Sequence, residues 1–217
     1  MHFADTPVTL FLIIANSIFS IIAFSNKGLE NKTIMWPYYV KREKQYYRFI
    51  TSGFLHADWM HLFFNMFTLY FFGSAIELYF NFYGLGGNIS YLLLYFTGLV
   101  ISDIPSFLKH QDNPEYRSLG ASGAVSAVVF AAIIFDPWSS VYLYGAVKIS
   151  FTVYAVLFLV YCIYMGKQSM DNVNHDAHFW GALFGLAYTL VLVAVLQKEL
   201  FTQIIEKLRN PSLFGHG

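Results

Sequence analysis

The sequence predicts an all-α membrane protein: a bundle of six apolar helices with a short central fourth helix. Three observations carry that expectation. The chain of 217 residues is 57% hydrophobic, 20% aromatic and only 12% charged, with mean hydropathy +0.50, far from the composition of a soluble domain. Apolar runs of membrane-span length recur along it, at about 7–24, 60–82, 89–108, 141–165 and 177–196. The remaining run, 122–135, gives roughly 21 Å of helix against a hydrocarbon core of roughly 30 Å. If Asp136 and Pro137 mark one membrane face, the Ser122 end stops inside the bilayer. Non-helical backbone at that depth, here through Gly120, is tolerated only against protein or a water-filled cavity.

The elements follow in order. Asp5-Thr6-Pro7 supplies a start for the first span, and without a basic n-region or a small-residue cleavage site it reads as a retained helix. Residues 25–50 mix Lys27, Lys32, Lys41, Arg42, Lys44 and Arg48 with Trp36, Tyr38, Tyr39, Tyr46 and Tyr47, as expected of a loop in the membrane interface. The second span carries His61 and Asn65 near one end and Glu77 near the other. The third is expected to end around Asp103 and Pro105, and polar residues 109–117 lead into the short helix. The fifth is expected from about Val141 to Met165 with Lys148 snorkelling from its start, and the sixth is followed by a polar tail, 197–217. Six spans put both termini on one side, and the connections are too short for a second domain.

Charge and cysteine content exclude some classes. Thirteen basic and thirteen acidic side chains leave no net charge and no reason to expect nucleic acid as a partner. The single cysteine, Cys162, forms no internal disulfide and reads as a small buried hydrophobe.

Polar groups inside spans are functional candidates by default. On a helical wheel Gly120, Gly123, Ala124, Ala127 and Ala131 form a small-residue stripe beside Ser122, and His178 is followed by Gly181 and Gly185. The fourth and sixth helices are expected to pack through these residues, with Gly181 against Ala127 and Ala131 and with Val193 facing lipid. That packing would carry His178 to hydrogen-bond reach of Ser122. A serine becomes nucleophilic when an imidazole can take its proton. The Ser122 N–H, the Asn65 amide and the His61 imidazole are available donors for a developing oxyanion. Each residue also has a plainer role: Ser122 as a helix cap, His61 as an interface histidine, Asn65 as interhelical glue, His178 as a helix-end residue.

Four motifs together resemble the rhomboid family of intramembrane serine proteases. Gly120-Ala-Ser122-Gly123 is similar to its Gly-x-Ser-Gly, and His56-x4-His61-x3-Asn65 to its His-x4-His-x3-Asn. Ala177-His178-x-x-Gly181-x-x-x-Gly185 is similar to its Ala-His-x-x-Gly-x-x-x-Gly, and Tyr47-Arg48 resembles its Trp-Arg, with Tyr replacing Trp. The resemblance implies Ser122 as nucleophile, His178 as general base, and an oxyanion hole of His61, Asn65 and the Ser122 N–H. It implies a structural role for Glu77, no metal and no cofactor. It also implies cleavage of transmembrane segments of other membrane proteins that enter laterally from the lipid bilayer, and a bacterial inner membrane with the serine opening outward. The Lys and Arg distribution points the other way: nine basic residues from Lys27 to Lys167 lie in the first, third and fifth connections, against Lys148, Lys198, Lys207 and Arg209 on the opposite side.

Two other readings remain. A catalytically inactive rhomboid-like protein would bind client transmembrane helices, against which intact Ser122 and His178 argue. A metalloenzyme would use His56, His61, His175 and His178, but no His-Glu-x-x-His is present, and the i, i+5 spacing of the first pair points the rings apart on a helix. The Gly-x-Ser-x-Gly elbow of soluble hydrolases is absent as well.

Overall fold

The structure, a computed structural model, describes residues 5–143, 147–168 and 173–211. It runs α1 (Pro7–Ser25), α2 (Lys27–Thr33), α3 (Pro37–Glu43), α4 (Arg48–Thr51), a 3-10 turn (Ser52–Phe54) and α5 (Trp59–Thr68). A π-helical turn (Leu69–Gly73) then leads into α6 (Ser74–Phe82), α7 (Gly87–His110) and α8 (Ser122–Phe135). The antiparallel hairpin β1 (Ser140–Leu143) and β2 (Val147–Ser150) precedes α9 (Phe151–Gln168), α10 (His175–Leu196) and α11 (Lys198–Arg209). Among the described residues five segments are long and apolar enough to cross a membrane: Pro7–Ser25, Trp59–Phe82, Gly87–His110, Phe151–Gln168 and His175–Leu196. With the short α8 they make an all-α membrane bundle of six helices.

Helix α8 is the core. Every residue from Gly123 to Phe135 is buried, as expected of a helix that is apolar all round. It is held by α10 and α7 on two sides and by the α5–α6 segment on a third. The α10 contact is made by backbone. A Cβ on Gly181 would overlap the Gly123 carbonyl oxygen and sit 2.9 Å from the Gly123 carbonyl carbon; one on Gly185 would sit 2.6 Å from Ala127 Cα. Gly181 thus meets Gly123 and not the expected Ala127 and Ala131, a register one turn nearer the serine. The stripe is also divided, since Ala124 packs on Gly98 of α7, where a Cβ would lie 3.4 Å from Ala124 Cα. At the far end Tyr79 and Tyr83 stack on Phe135, ring centroids 4.7 and 5.7 Å apart.

Five expectations are corrected. Residues 25–50 are not a loop but three short helices: Asn26 Oδ1 caps α2 by accepting from Leu29 N at 3.0 Å, and Pro37 begins α3. Arg48, only 4% exposed, ties this segment together by donating to Gln45 Oε1 (2.7 Å), Asn31 O (3.0 Å) and Ile34 O (2.7 Å). Helix α7 does not end near Asp103 but runs through Pro105 to His110, because a proline inside a helix flanked by protein removes a single backbone bond. The fifth span starts at Phe151, since Val141 and Ile149 face each other in the hairpin, and Lys148 lies in β2. Strand pairing of β-branched residues outcompetes a longer helix there. The tail folds into α11, burying Leu200 and Ile204. Its Lys207 Nζ donates to Phe135 O at 3.0 Å, satisfying a C-terminal carbonyl of α8. Val193 is fully buried, sharing the core with those α11 residues, and does not face lipid.

Polar ties near both ends help to fix α1. Glu77, fully buried, accepts from Val8 N (2.9 Å), Thr9 N (2.8 Å) and Thr9 Oγ1 (2.8 Å). A carboxylate thereby satisfies orphan first-turn donors at the positive end of α1. Nearer the other end, Ser20 Oγ donates to Phe54 O at 2.8 Å and lies 2.8 Å from His56 Nδ1. With the hydroxyl proton committed, His56 Nδ1–H donates to Ser20. Burial, then the neighbouring His61, pushes His56 down to about 3, so the ring is neutral.

Glu77→Ala strips those N–H groups of their acceptor, and each buried unsatisfied group costs about 1–3 kcal/mol. Thermal unfolding of the detergent-solubilised variant should show a clear drop in midpoint, with Glu77→Gln intermediate. Because His56 titrates near 3 when folded and near 6.5 when unfolded, its contribution to stability is complete above pH 6.5 and is lost as pH falls toward 3. Melting temperatures measured across that window should decline, and His56→Phe should flatten part of the slope.

Candidate active site

The segment before α8 is stitched to the first connection. Met35 and Ser118 exchange backbone hydrogen bonds (3.0 and 3.1 Å), Gly120 N donates to Ser52 O (3.1 Å), and the Arg117 guanidinium lies 3.7 Å from the Trp36 ring centre. Gly120 has φ +128, a left-handed value open to glycine, and a Cβ there would stand 2.9 Å from His61 Cε1. Ser122 then opens the helix. The N-cap position belongs to Ala121, so capping does not account for Ser122. The unpaired N–H groups of the first turn and the positive end of the helix lie at its side chain.

His61 and Asn65 come from α5. Asp58 caps that helix, its Oδ1 accepting from His61 N at 2.8 Å. Ala57 N donates to His61 Nδ1 at 3.3 Å, which leaves the proton on Nε2, the nitrogen beside Gly120. One turn on, Asn65 Nδ2 donates to His61 O at 2.9 Å, and its second N–H remains for other use.

His178 is delivered by α10, whose start is pinned by Asn174. Asn174 Oδ1 accepts from Ala177 N (3.1 Å) and from Ser106 Oγ (2.9 Å), and its Nδ2 donates to Asp103 Oδ1 (3.4 Å). The His178 ring is stacked over Phe158 of α9, centroids 6.3 Å apart at 25°. Ser122, His178, His61 and Asn65 line one cavity of about 790 Å³, whose apolar wall includes Phe64, Val125, Phe130, Tyr154 and Phe158. A hydroxyl, an imidazole and preorganised donors facing one space are the parts that acyl transfer needs.

Gly123, Gly181 and Gly185 set the α8–α10 approach, and Gly123 also meets Ser102 of α7. His56 is buried behind His61, ring centroids 5.0 Å apart in a T-shaped contact. The two rings do not point apart, because His56 precedes α5 and does not share its helix. Sequence reasoning missed Asn174, Ser106, Asp103 and Phe158. Asn174 three residues before Ala177 carries a capping signal that could have been read; the other three carry none. Nor did it bring Cys162 to the histidines: ligand atoms of Cys162, His175 and His178 lie within 4.8 Å of one another.

Comparison with known proteins agrees with this architecture. A family model for the Rhomboid domain matches residues 43–195. The chain is 28% identical over 189 residues to RHOMBOID-like protein 12, mitochondrial, of Arabidopsis thaliana, covering 82% of this chain and 56% of that protein. It is 36% identical over 162 residues to Rhomboid-like protein 11, chloroplastic, of the same plant, covering 70% and 53%. It is 31% identical over 145 residues to Presenilin-associated rhomboid-like protein A, mitochondrial, of Danio rerio, covering 64% and 36%. The chain therefore spans about half the length of the first two of these relatives or less of the third. Their mitochondrial and chloroplastic names give no support to the bacterial inner membrane expected from the sequence, and the helices establish a multi-pass membrane protein. From the match over residues 43–195, and from the bundle built around α8, the chain belongs to the rhomboid family.

Proposed function

We propose that the chain is an intramembrane serine endopeptidase that cuts transmembrane segments of other membrane proteins. The observation that supports this most is the shared cavity, in which Ser122 of α8 and His178 of α10 face His61 and Asn65 of α5. In this reading Ser122 Oγ attacks the scissile carbonyl carbon and its proton passes to His178. The oxyanion is received by the Ser122 N–H, His61 Nε2–H and Asn65. His178 then protonates the leaving amine, and water releases the acyl group by the same route. No metal or cofactor enters these steps.

The substrate class follows from the cavity wall and its neighbours. Phe64 and Thr68 of α5 and Tyr154 and Phe158 of α9 line the cavity, which suits entry between these two helices, and Phe63, Phe67 and Phe71 continue an exposed apolar face along α5 and the π turn. An apolar helix arriving through the lipid bilayer suits such a surface, and a peptide arriving from water does not. The serine opens to the side opposite the chain ends, outward in the family's orientation. An inactive rhomboid-like protein that only holds client helices remains the second reading, separated from the first by covalent labelling.

Ser122→Ala and His178→Ala should each abolish fluorophosphonate labelling and cleavage of a transmembrane reporter substrate while expression is unchanged. A wild-type chain that never labels sinks the protease reading and leaves the binder. His61→Ala and Asn65→Ala should lower kcat more than they raise KM, by about 10²–10³ for one oxyanion donor.

Gly181→Leu should insert normally yet lose most labelling, since a shift of about 1 Å in registration costs on the order of a hundredfold in rate. A leucine at Val195, 69% exposed, should change nothing. A reporter fused after Gly217 should read as cytoplasmic; the opposite reading would mean that the Lys and Arg distribution sets the orientation.

A further inference from the structure

The sulfur of Cys162 and ring nitrogens of His175 and His178 form a second cluster, all within 4.8 Å of one another. We propose that these three residues bind a Zn²⁺ ion, and that the ion withdraws His178 from Ser122. The competition rests on the serine-protease reading; the ion site does not.

The donor set is chemically apt. One thiolate and two imidazoles suit a borderline-soft divalent ion, and three protein ligands with a fourth position open is an established zinc arrangement. The two histidines are three apart on α10, neighbours on one helix face, with ring centroids 5.9 Å apart. The thiol comes from α9 across the helix pair. Tetrahedral bonds of about 2.0–2.3 Å bring ligand atoms to about 3.4–3.6 Å of each other, so the cluster must close by about 1 Å, within the reach of side-chain torsions.

Its surroundings favour a role beyond packing. Among the described residues of α9 only Ala155 and Cys162 are buried, while Phe151, Tyr154, Phe158 and Leu159 pack on the core from partly buried positions, so the thiol lies where α9 is most enclosed. An ion there would staple α9 to α10 at the wall of the main cavity. Access is available to each ligand. Cys162 lines a cavity of about 400 Å³ beside Asp176, His175 one of about 470 Å³, and His178 the main cavity.

Binding is proton-balanced: the thiol gives its proton to solvent as the thiolate coordinates, and each histidine coordinates as neutral imidazole. A His178 nitrogen committed to the ion, with the ring drawn toward Cys162, no longer accepts the Ser122 proton.

The test uses the full chain in detergent, stripped with a chelator and desalted. Co²⁺ titration should produce a thiolate-to-cobalt charge-transfer band saturating at one ion per chain and erased by Zn²⁺. In Cys162→Ser the band should be absent, and in His175→Ala affinity should fall at least about tenfold, the lower end of the loss seen when even an outer-shell partner is removed.

Zn²⁺ should also protect Cys162 of the wild-type chain from alkylation, a measurement that needs no variant. No band, an undiminished band in Cys162→Ser, or no protection overturns the site. In the functional arm, equimolar Zn²⁺ should suppress fluorophosphonate labelling of wild-type Ser122 about tenfold and leave Cys162→Ser labelled. Equal suppression in both overturns the competition. A metal-free chain that fails to label at all sinks the protease reading instead, while band and alkylation still decide the ion site.

Discussion

The structure depends on the burial of α8 along its entire length. A helix with no lipid face and no water face has every side chain from Gly123 to Phe135 committed to neighbours, so its two ends must be satisfied by protein. At the C-terminal end this is done by Lys207 of α11, donating to the Phe135 carbonyl. At the N-terminal end the first-turn N–H groups lie at the Ser122 side chain, next to the cavity. Donors fixed in this way need no reorganisation when negative charge is placed beside them. The burial that makes α8 a core element also leaves its first turn facing the cavity.

What brings His178 to that start is absence of side chain. Gly181 over Gly123 and Gly185 over Ala127 let two backbones approach so closely that any Cβ would overlap a carbonyl. Packing of this kind has few alternative registers, because a slide by one residue drives a methyl group into a backbone. The Asn174 bonds to Ser106, Asp103 and Ala177 then fix where α10 begins. The position of His178 therefore reflects constraints spread along α7, α8 and α10. From α9, Cys162 and the Tyr161 ring are set against His175 of α10.

The first connection serves the same end from the other side. Arg48 gathers the carbonyls of Asn31 and Ile34, the Met35–Ser118 pairing and the Trp36–Arg117 contact hold the approach to Gly120, and Ser52 accepts from the Gly120 N–H. Some of the basic residues that would count toward orientation are thus engaged in structure: Lys41 with Asp112, Arg48 with carbonyls and, before α8, Arg117 with Trp36.

The membrane bundle, the short central helix and the residue types of the candidate site were legible in the order of the residues. Hydropathy is set by composition and by runs of consecutive residues, and the His61, Asn65, Ser122 and His178 motifs are local spacings. Tertiary structure decided what depends on which surface meets which. It moved Gly181 from Ala127 to Gly123, because helical phase gives a face but not an offset along the axis. It paired Ser140–Leu143 with Val147–Ser150 as strands, a partnership that hydropathy does not specify. It folded Lys198–Arg209 of the polar tail against α10, using two buried side chains among many charged ones. It set His56 behind His61 and joined Cys162 to His175 and His178, contacts between residues whose nearness exists only once helices are packed.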